Sequence, residues 1–104
     1  MSKSIPIIWD TKALIALEEI VEYLEVEVSM ATAKKVVKRI KDTIAALPNN
    51  PEIFPIDPFI QDRSLKIRFF EKYSYRVLYR YYKNEIYILT VRHSSKAPLE
   101  GIIS

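Results

Sequence analysis

The residues best suited to chemistry in this chain are cations interleaved with aromatic rings near its C-terminal half. Three stretches, residues 63–71, 74–82 and 85–93, are rich in β-branched and aromatic residues, and eight of the twelve aromatics lie between Phe69 and Tyr87. Read as strands, their side chains alternate between two faces. One predicted face holds Leu65, Ile67, Phe69, Val77, Tyr79, Ile86 and Ile88. The other holds Lys66, Arg68, Arg76 and Arg80 together with Phe70, Tyr82, Tyr87 and His93. Cations hold phosphates and rings stack on bases, so this second face suits RNA. An ordinary outer face, on which Lys and Arg stems cover apolar rings, gives the same pattern. A two-residue turn at Lys83-Asn84 pairs Tyr82 with Glu85 and Arg76 with Val91; it puts Thr90 on the apolar face and Leu89, Val91 and His93 on the basic one.

Composition removes many other chemistries. The 104 residues include no cysteine, one histidine and one glycine, Gly101. Nucleotide-binding glycine loops, thiol nucleophiles, paired histidines and structural zinc are excluded, and no metal or cofactor is expected. Carboxylate pairs such as Glu18-Glu19 lie on a helix exterior and carry no catalytic signature. With 49% apolar and 28% charged residues the chain reads as one globular domain over residues 1–104. Met1-Ser2-Lys3-Ser4-Ile5-Pro6 lacks the apolar core of a signal peptide, and no apolar run is long enough for a bilayer, so a soluble cytoplasmic protein without membrane contact is expected. Net charge is +3, but residues 1–33 carry six acids and two bases, whereas residues 34–104 carry seven acids and fourteen bases. The asymmetry fits a basic surface for phosphates or an acidic partner, or simply a solvated face.

The elements that position these residues are readable from periodicity. Residues 5–9 form a short strand, restricted by Pro6 to an edge or a strand start. Asp10 or Thr11 caps a helix over residues 11–27, with Ala13, Leu14, Leu17, Ile20, Val21, Leu24 and Val28 on its apolar stripe and glutamates opposite. Ser29 caps a second helix with a stripe of Ala33, Val36, Val37, Ile40, Ile44 and Leu47 and an outer face of lysines and Arg39, ended by Pro48. The short link makes these an antiparallel hairpin whose opposite charges can attract across the seam. Residues 48–62 contain four prolines and form a stiff connection pinned by Ile53, Phe54, Ile56 and Phe59. Tight turns at Lys72-Tyr73 and Lys83-Asn84 join the last three strands, and residues 94–104 form a tail. The expected fold is α+β, in the order β-α-α-β-β-β, with the helical hairpin on one face of a small antiparallel sheet.

The layout, with Trp9 before an Ala/Leu-patterned helix, Tyr75-Arg76-Val77-Leu78-Tyr79 in the third strand, and Val91-Arg92-His93-Ser94-Ser95-Lys96-Ala97-Pro98 after the fourth, resembles the RelE/ParE superfamily of bacterial toxins. These are toxins of type II toxin–antitoxin pairs, often labelled plasmid stabilisation proteins. The resemblance implies a cognate antitoxin as partner, and an antitoxin segment is expected across the basic sheet face. It also implies one of two activities. RelE-like members cut mRNA on the ribosome; ParE-like members lack the RNase residues and poison DNA gyrase. Lys66-Ile67-Arg68 matches the basic-apolar-basic triplet of the ribonucleases, Arg76 their third-strand arginine, and Lys96 their basic residue after the last strand. The expectation is therefore a metal-independent endoribonuclease that arrests translation. Arg76 and Arg68 would hold the phosphate, Lys66 would be the base, and His93 or Lys96 the acid, with Arg80, Tyr82, Tyr87 and Phe70 binding RNA. Lysine at position 96, the missing general-base glutamate and the long hairpin depart from the ribonuclease pattern. A gyrase inhibitor acting through the hairpin, or an inactive antitoxin-binding relative, is the alternative.

Overall fold

Caps and apolar spacing set the helices of the computed structural model, which describes residues 4–94. After the strand β1 (Ile7–Trp9), Asp10 takes an extended conformation and its carboxylate accepts the Lys12 backbone N–H at 2.8 Å, opening α1 (Thr11–Glu27). The Leu24 carbonyl closes α1 by accepting N–H groups from Val28 and Ser29. Ser29 then accepts the Thr32 N–H at 3.0 Å and opens α2 (Met30–Ala46). With only Val28 and Ser29 between them, the helices must fold back on each other. Leu47–Asn49 continues as a 3₁₀ turn, with Pro48 in it. No ion pair joins α1 to α2 among the described residues; Lys38–Asp42 lies within α2. The seam is apolar.

The sheet runs β1-β4-β3-β2, with β2 (Arg68–Lys72), β3 (Tyr75–Tyr82) and β4 (Glu85–His93) antiparallel and β1 parallel to β4. Ala13, Ile20, Leu24, Ala33, Val36, Ile40 and Ile44 of the hairpin bury one face, against Phe70, Tyr75, Val77, Tyr79, Ile86, Ile88 and Val91. The element order and the helix-on-sheet architecture agree with the sequence reading.

Two details change which residues share a face. The β2–β3 turn is Tyr73-Ser74, both at positive φ, one residue later than expected, so that Lys72 pairs with Tyr75 and Phe70 with Val77. Phe70 and Arg68 therefore lie on the helical side, and Phe69 and Glu71 on the open side, the reverse of the expectation from apolar counting. Leu65 and Ile67 are not under the helices either. They pack in a second cluster with Ile60, Phe69, Leu78 and Leu89 on the opposite face. Residues 63–67 are not strand: Arg63–Leu65 is a 3₁₀ turn, and Lys66 follows it in the left-handed region at φ 51°.

In β4 a bulge interrupts the register. Leu78 pairs with Thr90, but Tyr79 pairs with Ile88, leaving Leu89 as an extra residue. Beyond it the faces invert. Val91 and His93 turn to the helical side, Thr90 and Arg92 to the open side, and Arg76 stands opposite Arg92 instead of Val91.

Candidate functional site

The open face of the sheet divides into two parts. Over β2 and the adjacent part of β3, the proline-rich connection folds back and closes the surface. It runs against the β2 edge through an isolated bridge between Ile56 and Arg68, with the Phe69 N–H donating to the Pro55 carbonyl and the Asp57 N–H to the Ile67 carbonyl. This covers an edge that would otherwise be free to pair with another chain. Tyr79 donates its hydroxyl to the Pro51 carbonyl at 2.8 Å, and burial pushes that hydroxyl's pKa up.

Arg76 sits at the centre of this closed part. Its Nε and Nη2 each lie 3.1 Å from Asp57 Oδ2, and its Nη1 lies 2.9 Å from Glu71 Oε1. The guanidinium carbon lies 3.6 Å from the Phe69 ring centroid and 5.4 Å from that of Phe59. Asp57 is only 2% exposed. Its Oδ1 accepts the Phe59 N–H at 2.7 Å, and its carbonyl accepts from Arg63 Nη1 at 2.8 Å. Two acids thus face Arg76: Glu71 is its register partner on β2, and Asp57 reaches it from the loop. Both acids escaped the sequence reading. The turn shift places Glu71, and Asp57 approaches from nineteen positions away.

The other expected catalytic residues do not gather around Arg76. Lys66 lies in the turn before β2, exposed. Arg68 lies at the edge on the helical side, donating through Nη1 to the Phe54 and Glu52 carbonyls and pairing with the Glu52 carboxylate at 3.4 Å. His93 is on the helical side, its ring edge-on to Tyr75 with centroids 5.3 Å apart. It lines a groove with Ile20, Tyr23, Thr32 and Val36 of the hairpin. Burial and the neighbouring Tyr23 raise the Tyr75 hydroxyl's pKa. Lys96 lies outside the described residues.

Of the four expected RNA-binding residues, Phe70 is core, packed 5.1 Å from the Phe54 ring. Arg80, Tyr82 and Tyr87 do come together, in a cleft of ≈ 520 Å³ over β1, β4 and the end of β3 that is also lined by Ile8, Trp9, Asp10, Thr11 and Leu89. The Arg80 guanidinium lies over the Tyr82 ring at 4.3 Å. The Tyr87 hydroxyl donates to the Glu85 carboxylate. That hydrogen bond is the chief reason its pKa is raised, while the nearby Arg80 charge pulls it the other way. The buried Nε of Arg80 and that of Arg92 have no hydrogen-bond partner among the described residues. Arg92 is the functional candidate that sequence reading passed over; only the bulge brings it to this face.

No helix among the described residues is long and apolar enough to cross a membrane. Comparison with curated proteins finds no match. Among solved structures, a chain described as part of the chromosomal ParDE TA system from P. aeruginosa matches with a TM-score of 0.71 and 21% identity, covering 88% of this chain and 98% of that one. The likeness is one of fold. The family model described as ParE toxin of type II toxin-antitoxin system, parDE, matches residues 7–98. With nearly all of its described length inside that match, on a helical hairpin and four-stranded sheet of the same fold, this chain belongs to the ParE toxin family of type II toxin–antitoxin systems.

Proposed function

We propose that this toxin acts in the cytoplasm as a non-enzymatic inhibitor of DNA gyrase and is held in check by its cognate antitoxin. The observation that carries the reading is the scatter of the basic residues. Cleaving RNA without a metal needs an acid, a base and uncompensated positive charge within reach of a single phosphate. Here the Arg76 charge is taken up by Asp57 and Glu71. Arg68 and His93 belong to the other side of the sheet, and Lys66 to a turn outside it. The match to the ParE family model supports the same reading, since ParE-like members of the superfamily are the ones that poison gyrase.

The surface suited to a protein target is the helical hairpin. Leu14, Ile15, Tyr23 and Val26 on α1, with Val28 and Met30 at the link, are exposed among glutamates, and Val26 is 81% exposed. Exposed apolar side chains gathered on one element suit contact with a protein partner. The test runs purified toxin in two assays, gyrase supercoiling of relaxed plasmid and a translation extract with RNA ends mapped. Loss of supercoiling with intact mRNA is the expected result. Undiminished supercoiling with discrete mRNA cuts would reinstate the ribonuclease.

A further inference from the structure

The two helices carry opposite charge that is not matched within one copy. On α1 the buried stripe is Ala13, Leu17, Ile20 and Leu24; at about 100° per residue, the reverse side carries Ile15, Glu19, Glu22 and Val26. On α2 the buried stripe is Ala33, Val36, Ile40 and Ile44, and the reverse side carries Ala31, Lys35, Lys38 and Asp42. All eight outer residues are exposed. Because the helices fold back through Val28-Ser29 alone, residues equally far from that link stand roughly level. Glu19 is level with Lys38, Glu22 with Lys35, and Val26 with Ala31. Yet neither glutamate has an ion pair or a side-chain hydrogen bond among the described residues. Lys35 reaches only the Tyr73 ring, 5.8 Å from its centroid, and Lys38 pairs with Asp42 one turn along its own helix. Outward side chains on neighbouring helices, whose axes are about 10 Å apart, do not meet; they can meet those of a second hairpin laid on top.

We propose that this outer face is self-complementary and that two copies of the chain associate through it, each α1 lying antiparallel over the α2 of the other copy. A two-fold axis running along the seam between the helices produces this arrangement. It sets Glu19 and Glu22 of one copy against Lys38 and Lys35 of the other, twice over by symmetry, and brings the 81% exposed Val26 onto Ala31. The exposed Lys38–Asp42 pair has little net worth, so Lys38 can exchange Asp42 for Glu19 at small cost. Two 17-residue helices side by side offer a face about 25 Å long and about 20 Å wide, so the dimer buries on the order of 1,000 Å² in total. That is the low end for a specific interface, and a contact of this size and charge is reversible and sensitive to salt. The dimer covers Ile15 and Val26, part of the surface assigned above to gyrase, so the monomer is the form that can engage that target. The inference rests on the charge register of the hairpin and needs no particular target.

The experiment is sedimentation equilibrium of the purified toxin in low and high salt. It compares wild type with two double reversals, Glu19→Lys with Glu22→Lys, and Lys35→Glu with Lys38→Glu. Wild type should dimerise at micromolar concentrations in low salt and more weakly in high salt. Each double reversal sets like charges against each other across the two-fold and should weaken self-association at least about 100-fold. Mixing the two reversed variants should restore a heterodimer, and placing all the changes in one chain should restore the homodimer. A wild type that stays monomeric up to about 1 mM in low salt overturns the proposal. So does a folded reversed variant that dimerises as well as wild type, or a mixture that stays monomeric. If the reversals fail to fold, carbodiimide coupling reads the wild type directly, in a mixture of isotope-labelled and unlabelled toxin. Mixed-isotope peptides joining Glu19 to Lys38 or Glu22 to Lys35 are expected; joints confined to single copies overturn the proposal. A monomeric toxin that inhibits gyrase overturns this interface and leaves the hairpin to the target. A dimeric toxin that does not inhibit gyrase even when diluted to monomer leaves the interface standing and removes only the gyrase reading.

Discussion

Arg76 and Arg80 stand four residues apart on one strand and point to the same face, yet they occupy different situations. Arg76 lies under a loop, paired to Asp57 and Glu71 and stacked on Phe69. Arg80 lies in a cleft with one ring beside it and an Nε–H that nothing among the described residues accepts. Strand alternation assigns both to one basic surface, but their roles depend on what the remote proline-rich segment covers. Where it covers the sheet, a cation becomes part of the fold's own bonding. Where it does not, no carboxylate among the described residues pairs with the cation.

This contrast predicts opposite responses to substitution. The largest effect is expected for Arg76→Ala, which strands Asp57 in a buried position without its counter-ion. Unfolding in urea should show a loss of about 3–5 kcal/mol. A loss below about 1 kcal/mol, typical of an exposed pair, would break the comparison from the closed side. Asp57→Asn keeps the volume and some of the hydrogen bonding, and Glu71 remains on Arg76, so a smaller cost of about 1–3 kcal/mol is expected in the same assay.

Tyr79→Phe tests how the loop is tied down. It removes the hydroxyl donated to Pro51 and should cost about 1 kcal/mol at neutral pH. Burial raises the folded pKa of Tyr79 above its ordinary value of 10.0. Its contribution is therefore fully present below that value and is lost as pH rises through the higher folded value. Melting curves between neutral and strongly alkaline pH should fall more steeply for wild type than for Tyr79→Phe. Parallel curves would mean that the hydroxyl has no differential environment. Smallest of all, Arg80→Gln should change the stability of the free toxin by less than about 0.5 kcal/mol, because no hydrogen bond or ion pair among the described residues depends on it and its contact with the Tyr82 ring lies at the surface. A large destabilisation would mean that the open part is structural too.

What could be read from the sequence follows from how local each signal is. The helical hairpin was legible because Asp10, Ser29 and the two apolar stripes act within a few residues. The bounds of β4 and the faces of β3 were legible for the same reason. Faces on β2 were not, because a one-residue shift to Tyr73-Ser74 inverts the strand, and apolar counting chose the larger trio of Leu65, Ile67 and Phe69. That trio is indeed sheltered, but by Ile60 on the opposite side. Positions after Leu89 were misplaced because no glycine or proline announces the bulge. In the candidate site, Arg80, Tyr82 and Tyr87 were found together because they flank one tight hairpin turn. Asp57 was missed because its partner is brought to it by tertiary structure alone.

The central claim, that Arg76 holds the fold and carries no chemistry, is tested most directly by neutralising the whole cluster. Replacing Asp57 by Asn, Glu71 by Gln and Arg76 by Gln together removes the charges without stranding any of them, which buried ion pairs often tolerate. The measurement is growth arrest on induction, with folding checked by thermal unfolding. A folded triple variant that still arrests growth is the predicted result. A folded triple variant that has lost toxicity would contradict the account and return Arg76 to the active machinery.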